Sequence, residues 1–349
     1  MPDRSIETEL SKARSILSRV WGYDAFRNGQ EEVLNALFAG QNVLAVMPTG
    51  SGKSICYQLP ALLRDGLTIV ISPLIALMQD QVQQLRALGI EAGSLNSGNA
   101  PGENLRVERA IAERRLRLVY IAPERFALPG LIDVLKRGGA SLLAVDEAHC
   151  ISQWGHDFRP EYLALRDLRA ELGNIQTIAV TATADEPTRD EIVGKLFDAP
   201  PQIFIRSFDR PNLFLAMSRK RNAGKQLARF VDDHRGESGI IYCNSRKRTE
   251  KFAEELSSLG HRAIAYHAGL DPSLRQAHQN EFIEADGVIM VATIAFGMGI
   301  DKPDVRFVCH ADLPGSIESY YQEIGRAGRD GLPADTLTLW GEEDVALRR

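Results

Sequence analysis

The sequence predicts an α/β fold with two parallel sheets, and three observations carry this prediction. Short apolar runs of strand length recur along the chain, and longer segments with helical spacing separate them. Continuous apolar runs are typical of strands that are buried on both faces, as in a parallel sheet. Eleven such runs occur, which exceeds the ~4–6 strands of an ordinary sheet. We therefore expect two sheets, each in a domain of its own.

The candidate strands form two series. The first series comprises residues 42–47, 67–72, 116–122, 141–146 and 176–181, and the second comprises residues 212–217, 238–243, 261–266, 287–293, 305–310 and 335–340. Prolines and turn-forming residues separate the two series at residues 200–212. We predict one domain at residues 1–208 and a second at residues 209–349.

The composition excludes several classes of protein. With 44% hydrophobic and 25% charged residues among 349, the chain has the composition of a soluble globular protein. No stretch reaches the ~18 consecutive apolar residues of a membrane helix, and the first residues lack the apolar segment of a signal peptide. The four cysteines lie far apart, which predicts neither disulfides nor a zinc site and fits a cytoplasmic location. Because the net charge is -5, any nucleic acid would have to bind in a local groove.

A glycine-rich loop follows the first predicted strand and predicts a phosphate-binding site. The loop consists of Thr49, Gly50, Ser51, Gly52, Lys53 and Ser54, and it lacks only the first glycine of the Gly-x4-Gly-Lys-[Ser/Thr] pattern. Its glycines let the backbone curl so that N–H groups and the start of the next helix face an anion. Lys53 would reach the β- and γ-phosphates, and the hydroxyl of Ser54 would bind magnesium. The alternative is a glycine-rich turn that binds nothing.

Two acidic residues, Asp146 and Glu147, follow the buried strand predicted at residues 141–146. The carboxylate of Asp146 suits Mg²⁺, because this hard cation prefers oxygen ligands. Glu147 suits the activation of an attacking water, since a carboxylate accepts its proton. An acidic pair at the end of a strand can also be ordinary surface. Its position after a phosphate loop in the same series favours the catalytic interpretation.

Several longer motifs resemble the helicase core of the RecQ family, within helicase superfamily 2. The matching segments are WGYDAFRNGQ (21–30), DEAH (146–149), CISQWGHDFRPEY (150–162), AVTATA (179–184), YHAGL (266–270), VATIAFGMGIDKPDVRFV (291–308) and SIESYYQEIGRAGRDG (316–331). The segment at residues 150–162 resembles the aromatic-rich loop of that family, and it is more diagnostic than DEAH, which many such motors share. The resemblance implies two tandem RecA-like domains with an ATP cleft between them.

The resemblance assigns further residues to the nucleotide. Tyr23 would stack on adenine, with Arg27 and Gln30 beside it. Asp301 would contact the ribose or an arginine. Arg326 and Arg329, from the second domain, would neutralise the charge that develops on the transferred phosphoryl group.

Other residues are candidates for binding a nucleic-acid strand. The aromatic-rich loop offers Trp154, His156, Phe158 and Arg159, and stacking of this kind is worth ~1–3 kcal/mol per base without sequence preference. Ser245, Arg246 and Thr293 follow predicted strands of the second domain and would contact phosphates. The bland alternative for the loop is that its aromatic rings pack beneath it.

The family resemblance implies an ATP-dependent DNA helicase or translocase that uses ATP and Mg²⁺, moves 3′ to 5′ on single-stranded DNA and acts in DNA repair and recombination. The expected partners are single-stranded and forked DNA and a single-stranded-DNA-binding protein. We expect a cytoplasmic monomer without membrane contact. RecQ proteins usually continue into a zinc-binding module and a winged helix, whose sequences are absent here, so we expect no zinc in this chain. The alternatives are a nucleotide-gated DNA-binding module, a translocase that does not separate strands, and an RNA helicase.

Overall fold

The fold is α/β with two parallel sheets, as the sequence predicts. A computed structural model describes residues 3–153, 158–207, 209–296 and 302–346. The chain divides into two compact units, unit 1 (Met1–Phe208) and unit 2 (Asp209–Arg349). Each unit contains one sheet, of seven strands in unit 1 and six in unit 2, and the strand pairs in both are parallel.

Unit 1 alternates strands and helices. Its strands are β1 (Val43–Val46), β2 (Leu67–Ile71), β3 (Ala92–Leu95), β4 (Leu118–Ile121), β5 (Ala140–Val145), β6 (Gln176–Thr181) and β7 (Gln202–Ile205). Its α-helices are α1 (Asp3–Ile16), α2 (Gln30–Phe38), α3 (Ile55–Leu63), α4 (Ile75–Ala87), α5 (Glu103–Ala112), α6 (Leu131–Arg137), α7 (Leu165–Glu171) and α8 (Glu186–Leu196). The strand order across the sheet is β3-β4-β2-β5-β6-β1-β7.

Unit 2 repeats this alternation with a second sheet. Its strands are β8 (Leu213–Arg219), β9 (Ser238–Tyr242), β10 (Arg262–Tyr266), β11 (Val288–Ala292), β12 (Val305–His310) and β13 (Ala334–Trp340). Its α-helices are α9 (Ala223–Asp232), α10 (Arg246–Ser258), α11 (Pro272–Glu284), α12 (Ile317–Ile324) and α13 (Glu342–Ala346). The strand order is β10-β11-β9-β12-β13-β8.

Helices cover both faces of each sheet, which explains the continuous apolar runs. On β1, Leu44 packs in one apolar cluster, while Val43 and Ala45 pack in another on the opposite face. All four residues of β1 are buried. No helix within the described residues is long and apolar enough to cross a membrane.

Each of the eleven predicted runs overlaps a strand, but the prediction misses β3 and β7. β3 has the sequence AGSL, in which Gly93 and Ser94 interrupt the apolar run even though the strand is buried. β7 follows two prolines in the region predicted as a linker, and it pairs with β1 at the edge of the sheet. Its side chains are mostly exposed, so it carries little hydrophobic signal.

The close packing of β9 against β12 generates a stability prediction. A Cβ atom at Gly239 would overlap the ring of Phe307. Gly239→Ala should therefore destabilise the protein by ~1–3 kcal/mol, which is typical of overpacking a core. Urea denaturation followed by circular dichroism measures the change.

Gly194 on α8 provides the matched control, because it is exposed and a Cβ there meets nothing within 4 Å. Gly194→Ala should be neutral or stabilise by up to ~1 kcal/mol through helix propensity. Equal stability of the two alanine variants would contradict the packing argument.

Candidate nucleotide and nucleic-acid sites

The loop between β1 and α3 has the curled backbone that the sequence predicts. Gly50 and Gly52 have φ values of 80° and 78°, in the left-handed region that favours glycine. A Cβ at Gly52 would also lie 2.5 Å from the side-chain nitrogen of Gln30. The Nζ of Lys53 donates to the carbonyl oxygens of Met47 (3.1 Å) and Pro48 (3.3 Å), so the ammonium group lies against the loop.

Gln30 and Arg27 hold this loop. The buried Gln30 amide donates to the carbonyl oxygens of Ser51 (3.2 Å) and Gly52 (2.9 Å), and its oxygen accepts from the Arg27 backbone N–H (2.8 Å). The Arg27 guanidinium donates to the carbonyl of Gly50. Arg27 and Gln30, two of the three side chains that the resemblance places at adenine, therefore also position the phosphate loop. Pairing of Gln30 with adenine stays a prediction, and its amide hydrogens have protein partners here.

The aromatic residues near Gln30 divide into core and surface. Trp21 and Phe26 pack against apolar clusters. Tyr23 is 47% exposed, and the Arg27 guanidinium carbon lies 5.9 Å from its ring centroid. Of the three rings, Tyr23 is thus the one that offers a face to a flat base.

Asp146 follows β5 and is buried. Its Oδ1 accepts the backbone N–H of Glu147 (2.9 Å), and its Oδ2 accepts the hydroxyl of Tyr57 (3.4 Å). Burial and the neighbouring Glu147 carboxylate raise the pKa of Asp146 to about 7, although Lys53 acts in the opposite direction. A buried carboxylate whose charge is this poorly compensated is suited to binding a cation.

The residues after Asp146 form a polar cluster within unit 1. Glu147 adopts a left-handed conformation with φ of 47°, and its Oε2 lies 3.3 Å from Nδ1 of His149. The same nitrogen of His149 lies 2.9 Å from the hydroxyl of Thr181. The buried His149 thus joins the DEAH segment to Thr181, at the end of β6.

The aromatic-rich loop is described only in part. Trp154 and His156 lie outside the described residues. Phe158 is partly buried with the Lys195 ammonium 5.8 Å from its ring centroid, and the Arg159 guanidinium donates to the carbonyl of Pro73 (3.0 Å) after β2. The structure thus joins the end of this loop to another loop at the same sheet edge.

Sequence reasoning missed the anchor of this loop on α8. Oε2 of Glu191 accepts the hydroxyl of Ser152 (2.6 Å) and the backbone N–H of Gln153 (2.8 Å). Its other oxygen pairs with Lys195 (2.9 Å). In the sequence, Glu191 and Lys195 form an i,i+4 pair, which is usually a solvated helix face, so no local signal marks the anchor.

In unit 2, Ser245 and Thr293 lie at the carboxyl ends of the neighbouring strands β9 and β11. Ser245 begins α10, where its hydroxyl accepts the backbone N–H of Arg248 (3.3 Å). Arg246 is exposed and packs over Gly269, where a Cβ would lie 2.8 Å from its Nη1. The predicted phosphate contacts of unit 2 are therefore on one edge. Asp301 lies outside the described residues.

Arg326 and Arg329 lie in the glycine-containing turn after α12. Burial raises the pKa of the Tyr242 hydroxyl to about 12. The charges of Arg326 and Arg329 lower this pKa, so both guanidinium groups lie near Tyr242. Gly328 has φ of 56°. The turn is held in place, because α12 is tied to β12 by a hydrogen bond of 2.8 Å between Glu323 and His310.

Arg210 and Asn212 also hold this turn, which the sequence did not indicate. Nη2 of Arg210 donates to the carbonyl oxygens of Ala327 (2.9 Å) and Gly328 (2.8 Å). Nδ2 of Asn212 donates to the carbonyl of Gly328 (2.9 Å). Both residues belong to the proline-containing segment that was predicted only as a domain boundary.

The raised pKa of Asp146 predicts a pH-dependent stability without metal. Because the pKa of Asp146 is about 7 in the folded protein against an ordinary value of 3.8, ionisation of Asp146 costs stability increasingly as the pH rises between these values. Asp146→Asn removes this cost. In EDTA, the variant should gain thermal stability over the wild type as pH rises from 4 to 7, with a plateau above.

Asp133→Asn, at an exposed position of α6, provides the control for the loss of one carboxylate charge, and any effect that it shares with Asp146→Asn is subtracted. A constant difference in melting temperature between Asp146→Asn and wild type from pH 4 to 8 would show that the fold does not raise the pKa of Asp146.

Comparison with known proteins agrees with these motifs. The family model for the DEAD/DEAH box helicase matches residues 27–192, and that for the helicase conserved C-terminal domain matches residues 222–331. Among solved structures, helicase MrfA bound to DNA and AMPPNP superposes with a TM-score of 0.76 at 20% identity, covering 97% of this chain and 50% of that one. Mss116p bound to ssRNA and AMP-PNP gives 0.73 at 16% identity, covering 98% and 73%. These likenesses concern the fold.

Curated relatives are more similar in sequence. The ATP-dependent DNA helicase RecQ of Haemophilus influenzae is 50% identical over 97% of this chain and 55% of that protein. The ATP-dependent DNA helicase RecQ of Bacillus subtilis is 43% identical over 97% of this chain and 58% of that protein. The chain thus spans little more than half the length of these relatives. Together with both helicase domain matches, this similarity confirms the resemblance to the RecQ helicase family over the part of those proteins that this chain spans.

Proposed function

We propose that this chain is the motor core of a RecQ-type DNA helicase, which couples ATP hydrolysis to 3′-to-5′ movement on single-stranded DNA and to duplex unwinding in repair and recombination. The observation that carries the proposal is the arrangement at the carboxyl edge of the unit 1 sheet. A phosphate loop held by Gln30 and Arg27 lies close enough to Asp146 for the charge of Lys53 to act on that carboxyl.

The donor set of this edge fits Mg²⁺. Mg²⁺ is usually bound by one or two carboxylates together with substrate phosphates rather than by a cage of protein ligands. Asp146 supplies a buried carboxylate and Ser54 a hydroxyl, and both interact with the hydroxyl of Tyr57. Among the described residues no cluster of three or more His, Cys, Asp or Glu side chains suits a metal, which agrees with such an open site. When bound, Mg²⁺ would neutralise charge on the phosphates.

The residues of the chain then divide the work of hydrolysis. Lys53 and the backbone N–H groups of the phosphate loop bind the phosphates. A carboxylate oxygen of Glu147 orients the attacking water and accepts its proton. Arg326 and Arg329 neutralise the negative charge that develops on the γ-phosphate. Tyr23 supplies a stacking face to adenine.

We propose that single-stranded nucleic acid binds to the loops that follow the β-strands of each sheet. Ser245, Arg246 and Thr293 would bind phosphates without reading sequence, and Phe158 and Arg159 belong to the loop that would sense the strand. Trp154, His156 and Asp301 keep the roles predicted from sequence. The curated relatives named as DNA helicases favour DNA over RNA as the substrate. A monomeric, cytoplasmic enzyme that meets single-stranded-DNA-binding protein on its DNA remains a prediction.

The function is tested by ATP turnover with and without single-stranded DNA, together with unwinding of a forked duplex by the same preparation. We expect Mg²⁺-dependent turnover that DNA stimulates. Lys53→Ala should abolish it, because the variant loses the cation that meets the phosphates. Lys136→Ala, at an exposed position of α6, serves as the control and should retain turnover.

Near-normal turnover in Lys53→Ala would refute the phosphate-loop assignment. Stimulated turnover without unwinding would favour a translocase that does not separate strands. DNA binding that responds to nucleotide without turnover would favour a gated binding module. Greater stimulation by RNA than by DNA would favour an RNA helicase.

The role of the second unit generates a separate prediction. Arg329→Ala should reduce hydrolysis by ~10³-fold or more, which is typical of losing an arginine that stabilises the transition state. Nucleotide affinity, measured by fluorescence anisotropy of an ATP analogue, should change little. Arg235→Ala is the control, because that arginine is exposed and pairs only weakly at the surface with Asp232. Equal losses of binding and turnover in Arg329→Ala would argue against the assigned role.

A further inference from the structure

Two neighbouring residues of α3, Tyr57 and Gln58, are buried although both carry polar groups. They lie one turn after the phosphate loop, on the helix that begins with it. Buried polar groups cost free energy unless they are hydrogen-bonded, so their partners indicate why this core contains them.

The partners form a buried polar network that reaches from Gln58 to Asp146. Both amide hydrogens of Gln58 are used, one by Oε1 of Gln81 on α4 (2.7 Å) and one by the hydroxyl of Tyr120 on β4 (2.9 Å). The hydroxyls of Tyr120 and Tyr57 interact with each other. The Tyr57 hydroxyl reaches Oδ2 of Asp146 at 3.4 Å.

One end of this network meets both groups that the proposed function assigns to Mg²⁺. Besides the carboxylate of Asp146, the hydroxyl of Tyr57 interacts with the hydroxyl of Ser54. One buried hydroxyl therefore connects a group of the phosphate loop with the carboxylate after β5. None of the motifs that carry the family resemblance includes Tyr57.

We propose that Tyr57 is a positioning residue that orients the Ser54 hydroxyl and the Asp146 carboxylate for Mg²⁺. The inference rests on the proposed function. Rotation about the last torsion of an aspartate is soft, and a hydrogen bond to one oxygen restricts it. Gln58 donates to the hydroxyl of Tyr120, which interacts with the hydroxyl of Tyr57. This leaves the Tyr57 hydroxyl able to donate to the carboxylate of Asp146. Partners of this kind that orient a metal ligand are worth ~10–100-fold in metal affinity.

A matched control exists beside the same carboxylate. Tyr162 is as buried as Tyr57, but its hydroxyl donates to the backbone carbonyl of Asp146 (3.1 Å), not to its side chain. Tyr57→Phe and Tyr162→Phe each remove one buried hydroxyl that contacts Asp146. Only the first removes a bond to a group assigned to the metal.

The experiment measures the Mg²⁺ dependence of two quantities in both variants and the wild type. One is ATP turnover at saturating single-stranded DNA, and the other is anisotropy of a fluorescent, non-hydrolysable ATP analogue. Tyr57→Phe should raise the half-saturating Mg²⁺ concentration by ~10-fold or more in both assays. Tyr162→Phe should retain the Mg²⁺ dependence of the wild type. Thermal unfolding should show that both variants remain folded, since each loses a single buried hydroxyl.

The outcomes separate this inference from the proposed function. Wild-type Mg²⁺ dependence in Tyr57→Phe, or an equal shift in Tyr162→Phe, would overturn the positioning role alone. Analogue binding by the wild type that is independent of Mg²⁺ would overturn the proposed function and this inference with it. If Tyr57→Phe does not fold, Tyr120→Phe tests the same network one hydroxyl further away and should shift the Mg²⁺ dependence in the same direction.

Discussion

The parallel direction of the strands is the constraint on which the other features of this protein depend. Because neighbouring strands run the same way and helices cover both faces, the polar groups next to the central strands meet solvent at the strand ends. At the carboxyl edge of unit 1, β1 leads into the phosphate loop and β5 leads into Asp146. In unit 2, β9 and β11 lead into Ser245 and Thr293. The candidate sites are thus gathered by the direction of the chain, although their residues are far apart in the sequence.

Two buried aspartates at these edges illustrate how charge distinguishes a structural role from a ligand role. Burial alone would raise the pKa of Asp312, but hydrogen bonds from Lys220 and from the backbone of Asn244, with the charge of Arg248, outweigh it and hold the pKa below its usual range. At Asp146, burial and the Glu147 carboxylate outweigh the charge of Lys53, and the pKa rises to about 7. Asp312 is therefore neutralised by the protein itself and fixes the loop before Ser245, whereas the role proposed for Asp146 leaves its charge to a bound cation.

The sequence predicts what local patterns encode. The two sheets, eleven of the thirteen strands among the described residues and the curled loop at Gly50 and Gly52 all follow from short stretches of chain. The sequence does not predict β3, which has small residues, or β7, which lies exposed at an edge. Nor does it predict the Gln30 bonds to the loop or the network from Gln58 to Asp146. These contacts join residues that are tens of positions apart, and a buried glutamine or tyrosine has no sequence pattern of its own.

The turn of Arg326 and Arg329 shows why such distant contacts matter for chemistry. A guanidinium group stabilises a transition state best when its orientation is fixed before the reaction, since reorientation would cost part of the gain. Here the carbonyl of Gly328 accepts donors from both Arg210 and Asn212, and a Cβ at Gly328 would overlap Asn212. All of these contacts lie within unit 2. The arginine turn is therefore held by contacts within its own unit, as the charge-neutralising role proposed for Arg326 and Arg329 requires.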